Sequence, residues 1–126
     1  MREIKFRIWS VTKKRYVQDY DYYYIDNDGD LYNIDYQGYD MVKKSLKKDF
    51  YIVEQYTGLK DKNGVEIYEG DVLHCVSRWD SADMVVIFAD GEFRMVLLEK
   101  GDGFYDIRCF DKEVIDNIHD NPELLT

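Results

Sequence analysis

Tyr56-Thr57-Gly58-Leu59-Lys60-Asp61-Lys62-Asn63-Gly64-Val65-Glu66-Ile67-Tyr68-Glu69-Gly70-Asp71-Val72-Leu73 is the stretch whose reading decides the fold. Asn63-Gly64 is a strong hairpin signal, because the tight turns that match strand twist need positive φ at their central residues. Glu69-Gly70-Asp71 is a second bend that feeds a strand over residues 71–76. Gly58, Asn63, Gly64, Gly70 and Asp71 are therefore expected to shape backbone, while Leu59, Ile67 and Val72 feed a core. Nothing in the stretch has the spacing of a nucleophile, a metal ligand set or a phosphate loop.

Working outward, the same strand language continues. Ile4, Phe6 and Ile8 alternate with Lys5, Arg7 and Trp9, the pattern of a half-buried strand over residues 3–9. A Tyr-rich strand is expected over 16–25, a hairpin turn at Asp28-Gly29, and a returning strand over 31–36. Val42, Leu46 and Phe50 recur every four residues among lysines, which predicts a short amphipathic helix near 41–50 with Asp40 as its cap. Downstream of Gly70, five short strands follow (71–76, 84–88, 93–98, 104–110 and 114–119) with turn signals at Asp90-Gly91 and Gly101-Asp102-Gly103. That spacing suggests a small barrel or sandwich, and the bend before Asp71-Val72-Leu73 resembles the first strand of SH3-like barrels. The expected fold is mainly β, all-β or α+β: N-terminal antiparallel Tyr-rich strands, one short helix, and a small C-terminal SH3-like barrel. The expected organisation is one domain over 1–126, with sub-regions 1–50 and 51–126.

The chain has 126 residues, a formal net charge of −9 and twelve tyrosines. Net negative charge disfavours nucleic-acid phosphates and anionic membranes as partners. The charge is uneven. Residues 1–17 carry six Lys or Arg against one Glu, and residues 18–40 carry seven Asp and no Lys or Arg. The start alternates charge with apolar residues and does not build a signal-peptide run, and no window approaches the ~20 apolar residues of a membrane helix. Two cysteines, Cys75 and Cys109, make no disulfide framework. The expected setting is a reducing cytoplasm, with both thiols acting as small hydrophobes.

Three segments resemble the YopX family, small proteins carried by bacteriophages and prophages. These are Arg2-Glu3-Ile4-Lys5-Phe6-Arg7 with Trp9, the stretch from Tyr56 to Gly64 continuing through Ile67-Tyr68-Glu69-Gly70-Asp71, and Val114-Ile115 with Asn117-Ile118 through Asn121-Pro122-Glu123-Leu124-Leu125. Ile8 and Val65 depart from the family pattern, and the Tyr-rich residues 16–40 match nothing in it. The resemblance implies a mainly β fold and a phage or prophage protein in the cytoplasm of a bacterial host. It brings no catalytic residue and no cofactor.

Candidate chemistry is sparse. Asp26, Asp28, Asp30 and Asp35 fit a calcium loop poorly, since position 1 would be Tyr24 and position 12 an Asp; a hairpin turn accounts for Asp28-Gly29. His74, Cys75, Cys109 and His119 lack paired ligand spacing, and neighbours on a strand point to opposite faces. No metal, no cofactor and no catalytic residue is expected. The aromatic residues are the better candidates for a working surface. Tyr20, Tyr22 and Tyr24 share one strand face, Tyr32 and Tyr36 lie on its partner, and Trp79 sits in a polar loop. Clustered Tyr suits protein contacts, and it equally suits cross-strand pairing that stabilises a hairpin. The leading expectation is a non-enzymatic module that binds a protein of host or phage. The alternatives are an acidic DNA mimic and a small-barrel nucleic-acid binder acting through Arg2, Lys5, Arg7 and Lys13 to Arg15, the last opposed by net charge. Open Tyr-rich strands also leave a homo-oligomer open.

Overall fold

The computed structural model describes residues 3–18, 22–37, 40–97, 104–108 and 111–120; for 35–37, 40–42 and 104 it describes backbone alone. Twelve strands form among them: β1 (Phe6–Ser10), β2 (Arg15–Tyr16), β3 (Tyr23–Ile25), β4 (Leu31–Gln37), β5 (Asp40–Ser45), β6 (Tyr51–Lys60), β7 (Glu66–Tyr68), β8 (Asp71–Val76), β9 (Ser81–Ala89), β10 (Glu92–Leu97), β11 (Phe104–Asp106) and β12 (Asp111–Asn117). The mainly β reading holds. The chain divides into two compact units: residues 1–6 with 54–126, and Arg7–Val53.

In the first unit, β8 to β12 form an antiparallel sheet in the order β11-β10-β9-β8-β12. Register places Val72 opposite Val85, Met95 opposite Val86 and Val114 opposite Leu73. Alternation then sends Leu73, Cys75, Met84, Val86 and Met95 to one face. With Ile67 and Ile107 they form the buried core, against which Leu59, Ala82, Leu97 and Val114 pack. Asp90 and Gly91 have φ of 52° and 81° in the two-residue β9–β10 connection, the type I′ geometry that Asp-Gly favours. Gly58, expected as a hairpin former, sits inside β6 with φ of 87°, where the β6–β7 register shifts between Tyr56 and Lys60. It makes a β-bulge.

In the second unit, β1 pairs β2, and β3-β4-β5 form a three-stranded sheet. Ile8, Trp9 and Leu31 are its buried apolar residues among those described. The helix expected near 41–50 is absent. Residues 40–45 are β5, paired with β4 from Gln37↔Asp40 to Tyr32↔Ser45. A four-residue spacing is also two strand periods, so Val42 and Leu46 never discriminated between the two readings. A helix that short is marginal in water, whereas the β4 ladder satisfies the backbone of β5. The single strand expected over 16–25 is instead β2 and β3, with Tyr22 in a helical turn just before β3.

Candidate functional site

The hairpin β3–β4 places Tyr24 directly opposite Tyr32. Their rings stack at 5.2 Å and 21°, and the Lys43 ammonium lies 4.0 Å from the Tyr32 ring centre and 5.2 Å from that of Tyr24. Cross-strand stacking with one cation near both rings is a self-satisfied arrangement. A hydrogen bond to Asp26 raises the Tyr32 hydroxyl above its ordinary range. Tyr22 is half exposed next to this stack. Tyr20 and the side chain of Tyr36 lie outside the described residues.

Asp26, Asp28 and Asp30 bring three carboxylates within 4.8 Å of one another. The geometry is that of a turn. Asp26 Oδ1 accepts the amides of Asp28 and Asp30 at 3.0 and 2.9 Å, and Gly29 carries φ of 82°. Amide donation, first by Asp30, holds the Asp26 carboxyl below the ordinary range.

Trp79 stands in a different setting. The turn Ser77–Asp80 joins β8 to β9 and is closed from both sides. The Ser77 amide and hydroxyl donate to the Asp80 carbonyl at 2.8 and 3.1 Å, and the Asp80 amide donates to Ser77 Oγ at 3.2 Å. On this turn Trp79 is 86% exposed, with the Arg78 guanidinium 5.1 Å from its ring. A cavity of about 200 Å³ lies beside the turn, lined by Ser77, Asp80, Ala82, Met84, Leu97 and Tyr105.

With this geometry in place, comparison with known proteins gives the ancestry. The family described as YopX protein matches residues 5–126. The chain belongs to the YopX family. Among solved structures it is similar to protein EF1440 from Enterococcus faecalis, with 27% identity and a TM-score of 0.61, and to protein yopX from Bacillus subtilis, with 21% identity and a TM-score of 0.66; each alignment covers 100% of both chains. No curated protein matches. Neither name states an activity, and the Bacillus likeness shows the fold alone.

Among the described residues, several titratable side chains of this YopX-family chain are held in pairs or hold backbone. His74 and Cys75 face opposite sides of β8: His74 Nδ1 meets Asp83 Oδ1 at 2.8 Å near the surface, whereas Cys75 is buried against Met95. Burial pushes the Cys75 thiol up to about 11, which makes it a poor nucleophile. Cys109 lies outside the described residues. His119 Nε2 donates to Glu54 Oε2 at 2.8 Å, and both side chains are almost fully buried.

Sequence reasoning did not find two residues that organise the first unit. Asp61 is buried and accepts three amides, from Asn63 and Val65 at Oδ1 and from Val114 at Oδ2, all between 2.8 and 2.9 Å. Burial alone would raise its carboxyl, but those amides, led by Val114, hold it below the ordinary range. The Asn63-Gly64 hairpin is thereby fastened to β12. Glu54 is the second, paired with His119 against Gly70. A carboxylate two residues before Asn-Gly is a legible Asx-turn signal for Asp61; for Glu54 no local signal exists.

Proposed function

We propose that this YopX-family chain is a non-enzymatic protein-interaction module of phage or prophage origin, working in the cytoplasm of a bacterial host. The observation that carries the reading is Trp79, a large aromatic held in solvent on a turn closed by hydrogen bonds. An exposed Trp on a hydrogen-bonded turn offers a large apolar area and is the residue type most enriched among interface anchors. Tyr22, half exposed at the head of the stacked hairpin, is a second contact point. Supporting the non-enzymatic part, Glu54, Asp61 and Cys75 are all buried in structural roles. The test compares wild type, Trp79→Ala and Tyr22→Ala/Tyr24→Ala as baits in infected-host lysate, followed by titration of each purified partner. A partner whose affinity drops at least tenfold for Trp79→Ala supports the reading; unchanged affinity for both variants refutes it.

One observation favours the DNA-mimic variant of the same idea. The first unit, which bears Trp79, holds eighteen Asp and Glu against nine Lys and Arg, whereas Arg7–Val53 holds eight of each. The whole net charge of the chain therefore belongs to one unit. A partner with a cationic groove predicts a complex that weakens steeply with salt; salt-insensitive binding removes the variant.

A further inference from the structure

The tip of the β1–β2 hairpin presents three consecutive cations. Ser10 closes it: its carbonyl accepts the Lys14 amide at 2.9 Å and its hydroxyl accepts the Lys13 amide at 3.2 Å. Lys14 takes φ of 54°, the left-handed conformation that lets so short a tip reverse. Lys13, Lys14 and Arg15 are all exposed. None of them makes an ion pair with a described residue, in contrast to Lys5, Lys48, Lys62, Arg94 and Arg108, each of which meets a carboxylate.

Beside the tip lies a cavity of about 150 Å³ lined by Ser10, Lys13, Arg15, Tyr16, Gln18 and Tyr23. Among the described residues no carboxylate lines it. The Arg7 guanidinium lies 4.4 Å over the Tyr16 ring. The chemistry is therefore an Arg fork, Lys ammoniums that meet no carboxylate among the described residues, a Gln amide and two Tyr at the wall, with Tyr22 half exposed beside Tyr23 in the chain. Arg forks and Lys charges recognise phosphate oxygens. Aromatic rings interleaved with cations are the pattern that tracks a single strand, with phosphates on the cations and bases on exposed rings; here that ring is Tyr22, since Tyr16 already meets Arg7 and Trp9.

We propose that this hairpin is a phosphodiester-binding site for single-stranded nucleic acid. The chain-wide charge of −9 argued against such a ligand, but that charge sits in the other unit, and Arg7–Val53 is balanced. The site takes one backbone phosphate in the cavity, on Lys13 and Arg15, and a neighbouring phosphate on Lys14. It goes beyond the protein-contact reading and does not depend on Trp79.

The test is fluorescence anisotropy of a labelled twenty-residue oligothymidylate, with a duplex of the same length and inorganic phosphate as the other arms. Two neutralised phosphates on a single strand give a log–log salt slope of about −1.4, which is about sevenfold weaker binding at 200 mM than at 50 mM salt. Lys13→Gln/Arg15→Gln should lose at least tenfold in affinity at 50 mM and flatten the slope to about −0.7. Lys44→Gln/Lys47→Gln, which removes two other exposed lysines of the same unit, should change neither, and circular dichroism checks that each variant is folded. The proposal is overturned by absence of oligonucleotide binding at 50 mM salt, by phosphate binding without oligonucleotide binding, by preference for the duplex, or by equal losses in the two double variants.

Discussion

Gly70→Ala is the substitution from which most can be learned about this fold. Gly70 has φ of 83°, its amide donates to the Val86 carbonyl at 2.9 Å, and its carbonyl accepts the Ile118 amide at 2.9 Å. A Cβ at this position would collide with the Glu54 carboxylate. Two costs follow. A left-handed conformation costs an Ala about 1–2 kcal/mol. The Glu54 carboxylate, 4% exposed, must also move off His119; displacing a buried, paired charge adds about 2–4 kcal/mol. Gly64 isolates the first cost, since it has the same φ of 83° and nothing within 4 Å of its virtual Cβ. The expectation is a loss of about 1–2 kcal/mol for Gly64→Ala and about 3–6 kcal/mol for Gly70→Ala.

The assay is urea unfolding followed by far-ultraviolet circular dichroism, with equal m-values as the check that only stability changed. At about 3–5 °C per kcal/mol for a chain of this size, Gly70→Ala should melt roughly 10–30 °C lower than wild type. A double-mutant cycle with Glu54→Ala completes the argument. Shortening residue 54 removes the obstacle, so the two changes should couple by at least about 1 kcal/mol. Equal losses at Gly64 and Gly70, or strict additivity with Glu54→Ala, would refute the idea that the Glu54 carboxylate dictates glycine at position 70.

Other outcomes follow from the same structure. Asp61→Asn should destabilise by about 1.5–3 kcal/mol at neutral pH, because an amide offers its one carbonyl oxygen where a carboxylate accepts three N–H groups. Since the folded carboxyl titrates below its unfolded value of about 3.9, that contribution is complete above pH 4 and fades as pH falls through the folded pKa, so the gap between wild type and variant in urea midpoints should close in acid. Tyr32→Ala removes a stacked ring and a cation–π partner and should cost about 1–2 kcal/mol by the same assay, with near-ultraviolet dichroism reporting loss of the stack. Trp79→Ala should leave stability within about 0.5 kcal/mol of wild type; a larger loss would show that the indole serves the fold and not a partner.

Which features could be read from sequence follows from how far apart their partners lie. Asn63-Gly64, Asp28-Gly29 and Asp90-Gly91 are local demands for positive φ, and each sits where expected for Gly29, Gly64, Asp90 and Gly91. The strand over 71–76 coincides with β8 because its apolar residues have no helical spacing to compete. Residues 40–45 misled because a spacing of four satisfies both periods, and the choice was made by β4, which no local pattern names. The Glu54–His119 pair spans 65 residues and the Asp61–Val114 bond 53, so neither leaves a trace in a sequence window. Tyr24 and Tyr32 were rightly placed across one hairpin, but the third member, Lys43, belonged to the mistaken helix, so the closed character of the stack was hidden.

The charge has the same lesson in sharper form. Read along the chain, the seven Asp of residues 18–40 made the Tyr-rich hairpin the acidic region. Read by unit, those aspartates are offset by Lys43, Lys44, Lys47 and Lys48 and by the basic start of the same unit, and the surplus of nine negative charges belongs to residues 1–6 and 54–126. Electrostatic attraction between exposed groups acts over about a Debye length, roughly 8 Å at physiological salt, so a ligand meets the charge of the surface it touches and not the chain average. Two consequences follow for YopX-family chains of this kind. On the readings proposed above, a cationic partner would be drawn to the unit with Trp79, and a phosphate-bearing one to the β1–β2 hairpin tip, where Lys13, Lys14 and Arg15 meet no carboxylate among the described residues. One molecule can thus offer surfaces of opposite preference, and a single salt titration of whole-chain binding would blur them unless the Lys13/Arg15 and Trp79 variants are titrated side by side.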